Sequence, residues 1–207
     1  MNLEYVINQS LTYSEYRKDI DRLIVEGKTT GNSQSDKLLD FTKLNVQRMN
    51  RLDKTIQLSE QAIAKLQNNS STYVWLLIGD AWCGDCAQII PVINKVTEAS
   101  NNKISFKIIS RDTFPELISS YQTNGANAIP KLLIIEAESL EEICTWGPRP
   151  KPAQDIMLNW KANKDIISWE DFEKDLHLWY AKDKGITIIN ELVNLTEKCR
   201  DKITLQQ

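Results

Sequence analysis

The chain has 207 residues, enough for one domain with extensions or two small domains, and enough to bury a core without disulfide staples. Its net charge is −3, with 42% hydrophobic and 26% charged residues, so nothing in the composition points to nucleic acid or an anionic membrane as a partner. The start, MNLEYVINQSLTYSEYRKDI, lacks a basic stretch followed by an apolar one, and the longest apolar run, YVWLLI, is far too short to span a bilayer, which points to the cytoplasm.

In chain order, the first region carries no strand pattern. Thr12 and Glu15 have capping-box spacing and lead into a helix expected to stop near Gly27. KTTGNSQSD (28–36) reads as a loop, and the pattern from Asp36 to Gln67 is helical, with its apolar stripe slipping phase near Leu52–Leu58. The basic stretch NVQRMNRLDK (45–54) has two readings, a surface for anions or a client and, the preferred one, a solvated helix face. At about residue 72 the period changes. YVWLLIG (73–79) is a continuous apolar run of strand length, and a helix from about Cys83 to Ser100, interrupted by Pro91, connects it to a second strand, KISFKII (103–109). Such a crossover requires a parallel pair. Asp112 is expected to cap a short helix reaching Tyr121, with Pro115 in its first turn. KLLIIE (131–136) and EICTW (142–146) lie close enough to pair as an antiparallel hairpin. After the breaker-rich GPRPKP (147–152), helices are expected over about 153–164, 169–184 and 187–203, the second capped by Ser168 with Asp171. The expected division is a helical extension over 1–71, an α/β core over 72–147 and a helical extension over 148–207.

Four cysteines are present: Cys83, Cys86, Cys144 and Cys199. The first two form a C-x-x-C at the start of a helix that follows a buried strand. Disulfide exchange needs thiolate, and a free cysteine titrates near ~8.5. The amides and macrodipole at a helix N-terminus favour negative sulfur there. Cys83, at the mouth of the turn, is then the attacking thiol, and Cys86, one turn further in, resolves the mixed disulfide. Zinc is the competing reading of a C-x-x-C, but only Cys144, Cys199 and His177 remain as ligands and none has knuckle spacing. Cys144, on a core strand, and Cys199, on an apolar-periodic helix, read as buried structural thiols. His177, between two leucines, reads as a surface or packing residue, and Arg149 either as a substrate contact, if GPRP (147–150) lies near the active-site end, or, preferred, as part of a linker.

The stretch WCGDC after a strand, Pro91 five residues beyond the second cysteine, and AIPKLLII (128–135) together resemble the thioredoxin superfamily, in a bacterial subfamily with helical extensions. The resemblance covers about 72–147. It implies a thioredoxin-like α/β fold, a mixed sheet of about four to five strands flanked by helices. It implies a cis Ile129–Pro130 bond, with Pro130 beside the C-x-x-C, Ile129 offering backbone to substrate, and Trp82 flanking the nucleophile. It implies thiol–disulfide exchange through Cys83 and Cys86 on a disulfide-containing protein or small thiol substrate. No metal or organic cofactor is implied; a reductase or low-molecular-weight thiol would donate electrons. A binding platform or oxidant-sensing protein with little turnover stays open as an alternative.

Two departures bear on redox tuning. Gly84-Asp85 stands where thioredoxins usually carry Gly-Pro, and an acid beside the sulfurs opposes the helix dipole. The family's buried acid on the preceding strand falls at Leu77, which leaves Asp80 as the candidate proton acceptor for Cys86.

Overall fold

The computed structural model describes residues 2–204. The elements run α1 (Leu3–Asn8), α2 (Tyr13–Val25), α3 (Asp36–Thr55), α4 (Glu60–Gln67), β1 (Tyr73–Ile78), α5 (Gly84–Glu98), β2 (Ile104–Ile109), α6 (Pro115–Ser120), β3 (Lys131–Glu136), β4 (Glu142–Trp146), α7 (Lys151–Ala162), α8 (Trp169–Asp183) and α9 (Ile186–Thr204). The break expected near Leu52–Leu58, where the stripe slips phase, falls at residues 56–59, and Ser59 caps a new helix by accepting from the Ala62 amide. The box at Thr12 and Glu15 forms in both directions. Asp112 caps nothing: α6 begins after Phe114, and the Asp112 carboxylate instead accepts from the Asn32 amide at 2.7 Å and pairs with Arg111. Helix α1 was not legible, because six residues are too few for a periodic stripe.

The sheet has the order β2-β1-β3-β4. β1 and β2 are parallel, while β3 runs antiparallel to both β1 and β4. The two central strands are buried almost throughout and the two edge strands alternate, matching the continuous apolar runs of the former and the mixed pattern of the latter. Leu11 and Ile108 exchange backbone hydrogen bonds at the β2 edge, covering part of it. Helix α5 packs against α3 on one flank and α9 on another, and α8 packs on α7.

The register explains where the chemistry collects. Ile78, the last residue of β1, pairs with Ile109 at the end of β2 and with Lys131 at the start of β3. Leu132 pairs with Trp146 at the end of β4. The segments 79–86, 110–112, 127–130 and 147–150 are therefore delivered to one end of the sheet, outside the carboxyl ends of the parallel pair.

Cys144 and Cys199 are joined in a disulfide, with Cα atoms 6.2 Å apart. This corrects the reading of both as free thiols. The sequence placed each on a buried face but could not show that α9 lies along β4. The bridge closes 55 residues of chain and ties the last helix to the edge strand.

Candidate active site

Cys83 is the N-cap of α5, with extended backbone and no side-chain cap hydrogen bond, so the amides of the first turn lie at its sulfur's end of the helix. Its side chain is partly exposed, whereas Cys86, one turn on, is buried. Both are free thiols. Burial, followed by the hydrogen bond with Cys83, pushes the Cys86 thiol well above its ordinary value. The Ile129–Pro130 peptide bond is cis, and the Cys83 thiol donates to the Ile129 carbonyl at 3.6 Å. Trp82 borders the same opening, with the Arg111 guanidinium 5.1 Å above its ring.

Asp80 lies in the turn between β1 and Cys83 and is fully buried. One carboxylate oxygen accepts from the Ser110 hydroxyl at 2.7 Å; the other has no hydrogen-bond partner among the described residues. Burial raises its pKa, and the hydrogen bonds from Ser110 and Thr30 oppose the rise.

Asp85 differs from expectation. Its position in the sequence, beside the sulfurs, suggests an acid that opposes the thiolate. Instead it is buried, pairing with Arg149 Nη2 at 2.5 Å and accepting from the Tyr180 hydroxyl at 2.8 Å. Burial pushes its carboxyl up, and Arg149 and Tyr180 work against that. The negative charge is thus directed to the GPRP loop and α8 rather than presented to substrate. Arg149 is not a linker residue in any physical sense. Its loop is fixed by Glu191 of α9, which accepts from Trp146 Nε1 and from the Lys151 amide, each at 2.8 Å. Gly147 allows the loop's close approach: its φ is +108°, and a Cβ there would lie 2.6 Å from the Pro130 carbonyl oxygen. The Gly147–Pro148 bond is also cis.

Gly84 is hemmed in as well. A Cβ there would meet His177 at 3.1 Å and Arg48 at 3.5 Å. His177, read from sequence as a surface or packing residue, therefore sits over the first residue of α5, with Nδ1 3.5 Å from Gln88 Nε2. Its neighbours from α5 are Gly84 and Gln88, four residues apart and so on one helix face. Burial, reinforced by the Arg48 charge, lowers the His177 pKa to about 4, so the ring is neutral at pH 7. The unfolded chain, with a histidine near the ordinary ~6.5, takes up the proton first as pH falls. Its stabilising contribution is complete above ~6.5 and is lost as pH drops towards 4. We expect His177→Gln to flatten this limb. In urea unfolding at pH 7 and pH 5, the wild type should lose more stability than the variant; equal losses would show that His177 titrates normally.

These groups surround a cavity of about 910 Å³ between α3 and α8, with Cys83 and Ile129 in its lining. The basic stretch 45–54, read as solvated, contributes to it. Asn45 is buried, and its side-chain amide donates to the Ala81 carbonyl at 2.8 Å, while Arg48 lines the opening. Tyr180 and His177 were missed as site residues, and Arg48 was placed only within a basic stretch open to anions, because nothing in their spacing reports that α3 and α8 close over α5.

A family model described as thioredoxin matches residues 31–165. Over 55 residues the chain is 31% identical to Thioredoxin 1 of Nostoc sp., a stretch that makes up 27% of this chain and 49% of that protein. The chain thus spans about half the length of the curated relative it matches. Among solved structures, a Pseudomonas aeruginosa protein of unknown function is similar with a TM-score of 0.58 at 17% identity, over 91% of this chain and 98% of that one. An HIV epitope-scaffold is similar with a TM-score of 0.55 at 17% identity, over 91% of this chain and 99% of that one. At these identities the structural likeness is one of fold.

Proposed function

Because this chain belongs to the thioredoxin family, we propose that it is a thiol–disulfide oxidoreductase that reduces disulfides through Cys83 and Cys86. The observation that carries the reading is the asymmetry of the pair: a partly exposed sulfur at a helix N-cap beside the Ile129 carbonyl, and a buried sulfur one turn behind it.

The Cys83 thiolate attacks a substrate sulfur, the substrate S–S bond breaks, and the leaving sulfur departs with the electron pair. The Ile129 backbone, Pro130 and Trp82 flank that encounter. Cys86 then attacks the Cys83 sulfur of the mixed disulfide and frees the second substrate thiol. Its proton must leave first, and a buried thiol resists losing it. Asp80 is the candidate acceptor, being buried, raised in pKa and left with one free oxygen. Gly84 keeps α8 close, and the Arg149 guanidinium offsets the Asp85 charge that would oppose thiolate. The products are two substrate thiols and the Cys83–Cys86 disulfide. A reductase or low-molecular-weight thiol returns the two electrons, and no metal or organic cofactor takes part.

Among the described residues no helix is long and apolar enough to cross a membrane. We place the protein in the cytoplasm, where a reducing poise regenerates the Cys83–Cys86 dithiol through its partly exposed sulfur. The Cys144–Cys199 bridge persists there because both residues are buried and exchange requires access to sulfur. Helical segments 1–71 and 148–207 act as the walls of the site on a 72–147 core.

The test is equilibration of the protein in graded reduced and oxidised glutathione, with alkylation and mass analysis of the Cys83–Cys86 peptide. We expect one two-electron transition, with a midpoint of roughly −200 to −270 mV. A pair that stays in one state across that range would contradict the reading.

A further inference from the structure

The walls of the cavity carry information on what enters it. This inference rests on the reading of Cys83 as the attacking thiol and goes on to its substrate.

The space, about 910 Å³, is the size that holds a small organic molecule. Its walls are apolar to an extent unusual for a solvent-facing surface. Phe41 and Leu44 come from α3, and Trp169, Phe172 and Leu178 come from α8. Leu44, Trp169 and Leu178 remain 42%, 47% and 48% exposed. Large apolar side chains are thus held apart around a thiol with much of their surface open to solvent.

The charge in the slot is one-sided. Lys37, Arg48, Arg111 and Lys174 line it, against Glu173 and an Asp85 already engaged by Arg149 and Tyr180. Arg111 is paired with Asp112. Arg48 has no carboxylate within ion-pair distance among the described residues. It is nevertheless fixed in place. Its Nη1 donates to Asn45 Oδ1 at 2.8 Å, and buried Asn45 is itself tied to the Ala81 carbonyl in the active-site turn. That same Nη1 lies 3.5 Å from where a Cβ on Gly84 would be, next to the nucleophile. A guanidinium offers five donors in a planar fork suited to a carboxylate, and one is used on Asn45. Glu173 on the same wall limits the positive field, so Arg48 is suited to a single carboxylate group rather than to a doubly charged phosphate.

We propose that the substrate is a small organic disulfide with an apolar body and a carboxylate close to its sulfur pair, seated between α3 and α8 with the carboxylate on Arg48. Attack by the Cys83 thiolate breaks the substrate S–S bond and expels one half as a thiolate. Arg48 holds the other half, now joined to Cys83, until Cys86 displaces it. The cycle converts one disulfide to two thiols and leaves the Cys83–Cys86 disulfide, which a low-molecular-weight thiol or a reductase reduces.

The experiment compares 3,3′-dithiodibenzoate with its uncharged diamide, which has the same body and sulfur pair. With wild-type protein and a thiol reductant, kcat/KM should favour the acid by about 10- to 100-fold, mostly through KM, the usual worth of a hydrogen-bonded charge pair. Added salt should erode that preference. Arg48→Gln should collapse the acid-to-amide ratio towards one, and Arg48→Lys should restore part of it. A wild-type ratio near one, or an Arg48→Gln ratio equal to the wild-type ratio, overturns the proposal. The wild-type ratio and its salt dependence decide the matter even if the Arg48 variants fold poorly. Neutral bis(2-hydroxyethyl) disulfide separates the two levels. If it is reduced while the acid is not preferred, only the substrate assignment fails; if no disulfide is reduced, the oxidoreductase reading fails with it.

Discussion

Arg149→Met is expected to lower the stability of the folded chain by about 3–5 kcal/mol at pH 7, the usual effect of removing one partner from a buried ion pair. The side chains of Arg149 and Asp85 are 12% and 7% exposed, so water does little to replace what is lost. The variant leaves a carboxylate in the interior with the Tyr180 hydroxyl as its remaining close partner. The pH dependence supplies an internal check. Burial already raises the Asp85 pKa, and loss of Arg149 raises it further. An acid whose folded pKa lies above its unfolded value binds its proton first in the folded state. The variant's deficit should therefore be largest at neutral pH and shrink as pH falls through the raised value. A double variant with Asp85→Asn should recover most of the loss, because the buried charge goes with it. Urea unfolding at pH 7 and pH 5 measures all three. A single-variant loss below about 1 kcal/mol would mean that the pair is solvated.

Cys83→Ser is expected to bring disulfide reduction down to the uncatalysed background. A serine hydroxyl cannot form the mixed disulfide, and Cys86 is too buried to take over the attack. Stability should change by no more than about 0.5 kcal/mol, since the side chain is partly exposed and its hydrogen bond to the Ile129 carbonyl is long. Turnover of bis(2-hydroxyethyl) disulfide with an excess of thiol, beside an unfolding curve, separates lost chemistry from lost structure. Retained turnover in a folded variant would remove Cys83 from the mechanism.

The parts of this molecule that could be read from sequence are those set by local physics. The unbroken apolar runs at Tyr73–Ile78 and Leu132–Ile135 identify central strands, and the crossover between β1 and β2 dictates their parallel pairing. Thr12 and Ser168 begin helices because their side chains accept amide hydrogen bonds from three residues on. The C-x-x-C stood out because a strand and a helix start enclose it. The site's outer half could not be read this way. Asp85 was judged by its distance in sequence from the sulfurs, but direction matters more than distance: its side chain turns to Arg149, 64 positions away, and to Tyr180. His177 between two leucines looks like any amphipathic helix residue until Gly84 is found beneath it. Cys144 and Cys199 gave no spacing signal, because their pairing depends on how α9 lies against β4. In each case the missing information was long-range packing of a flanking helix on the core.

The most direct measurement of the proposed chemistry is to trap its intermediate. Cys86→Ser protein, incubated with bis(2-hydroxyethyl) disulfide and analysed by mass spectrometry without reductant, should carry one substrate half on Cys83. Added thiol should release it, and Cys83→Ser protein should carry none on this pair. An adduct that forms equally well without Cys83, or no adduct at all on folded Cys86→Ser protein, would contradict the account.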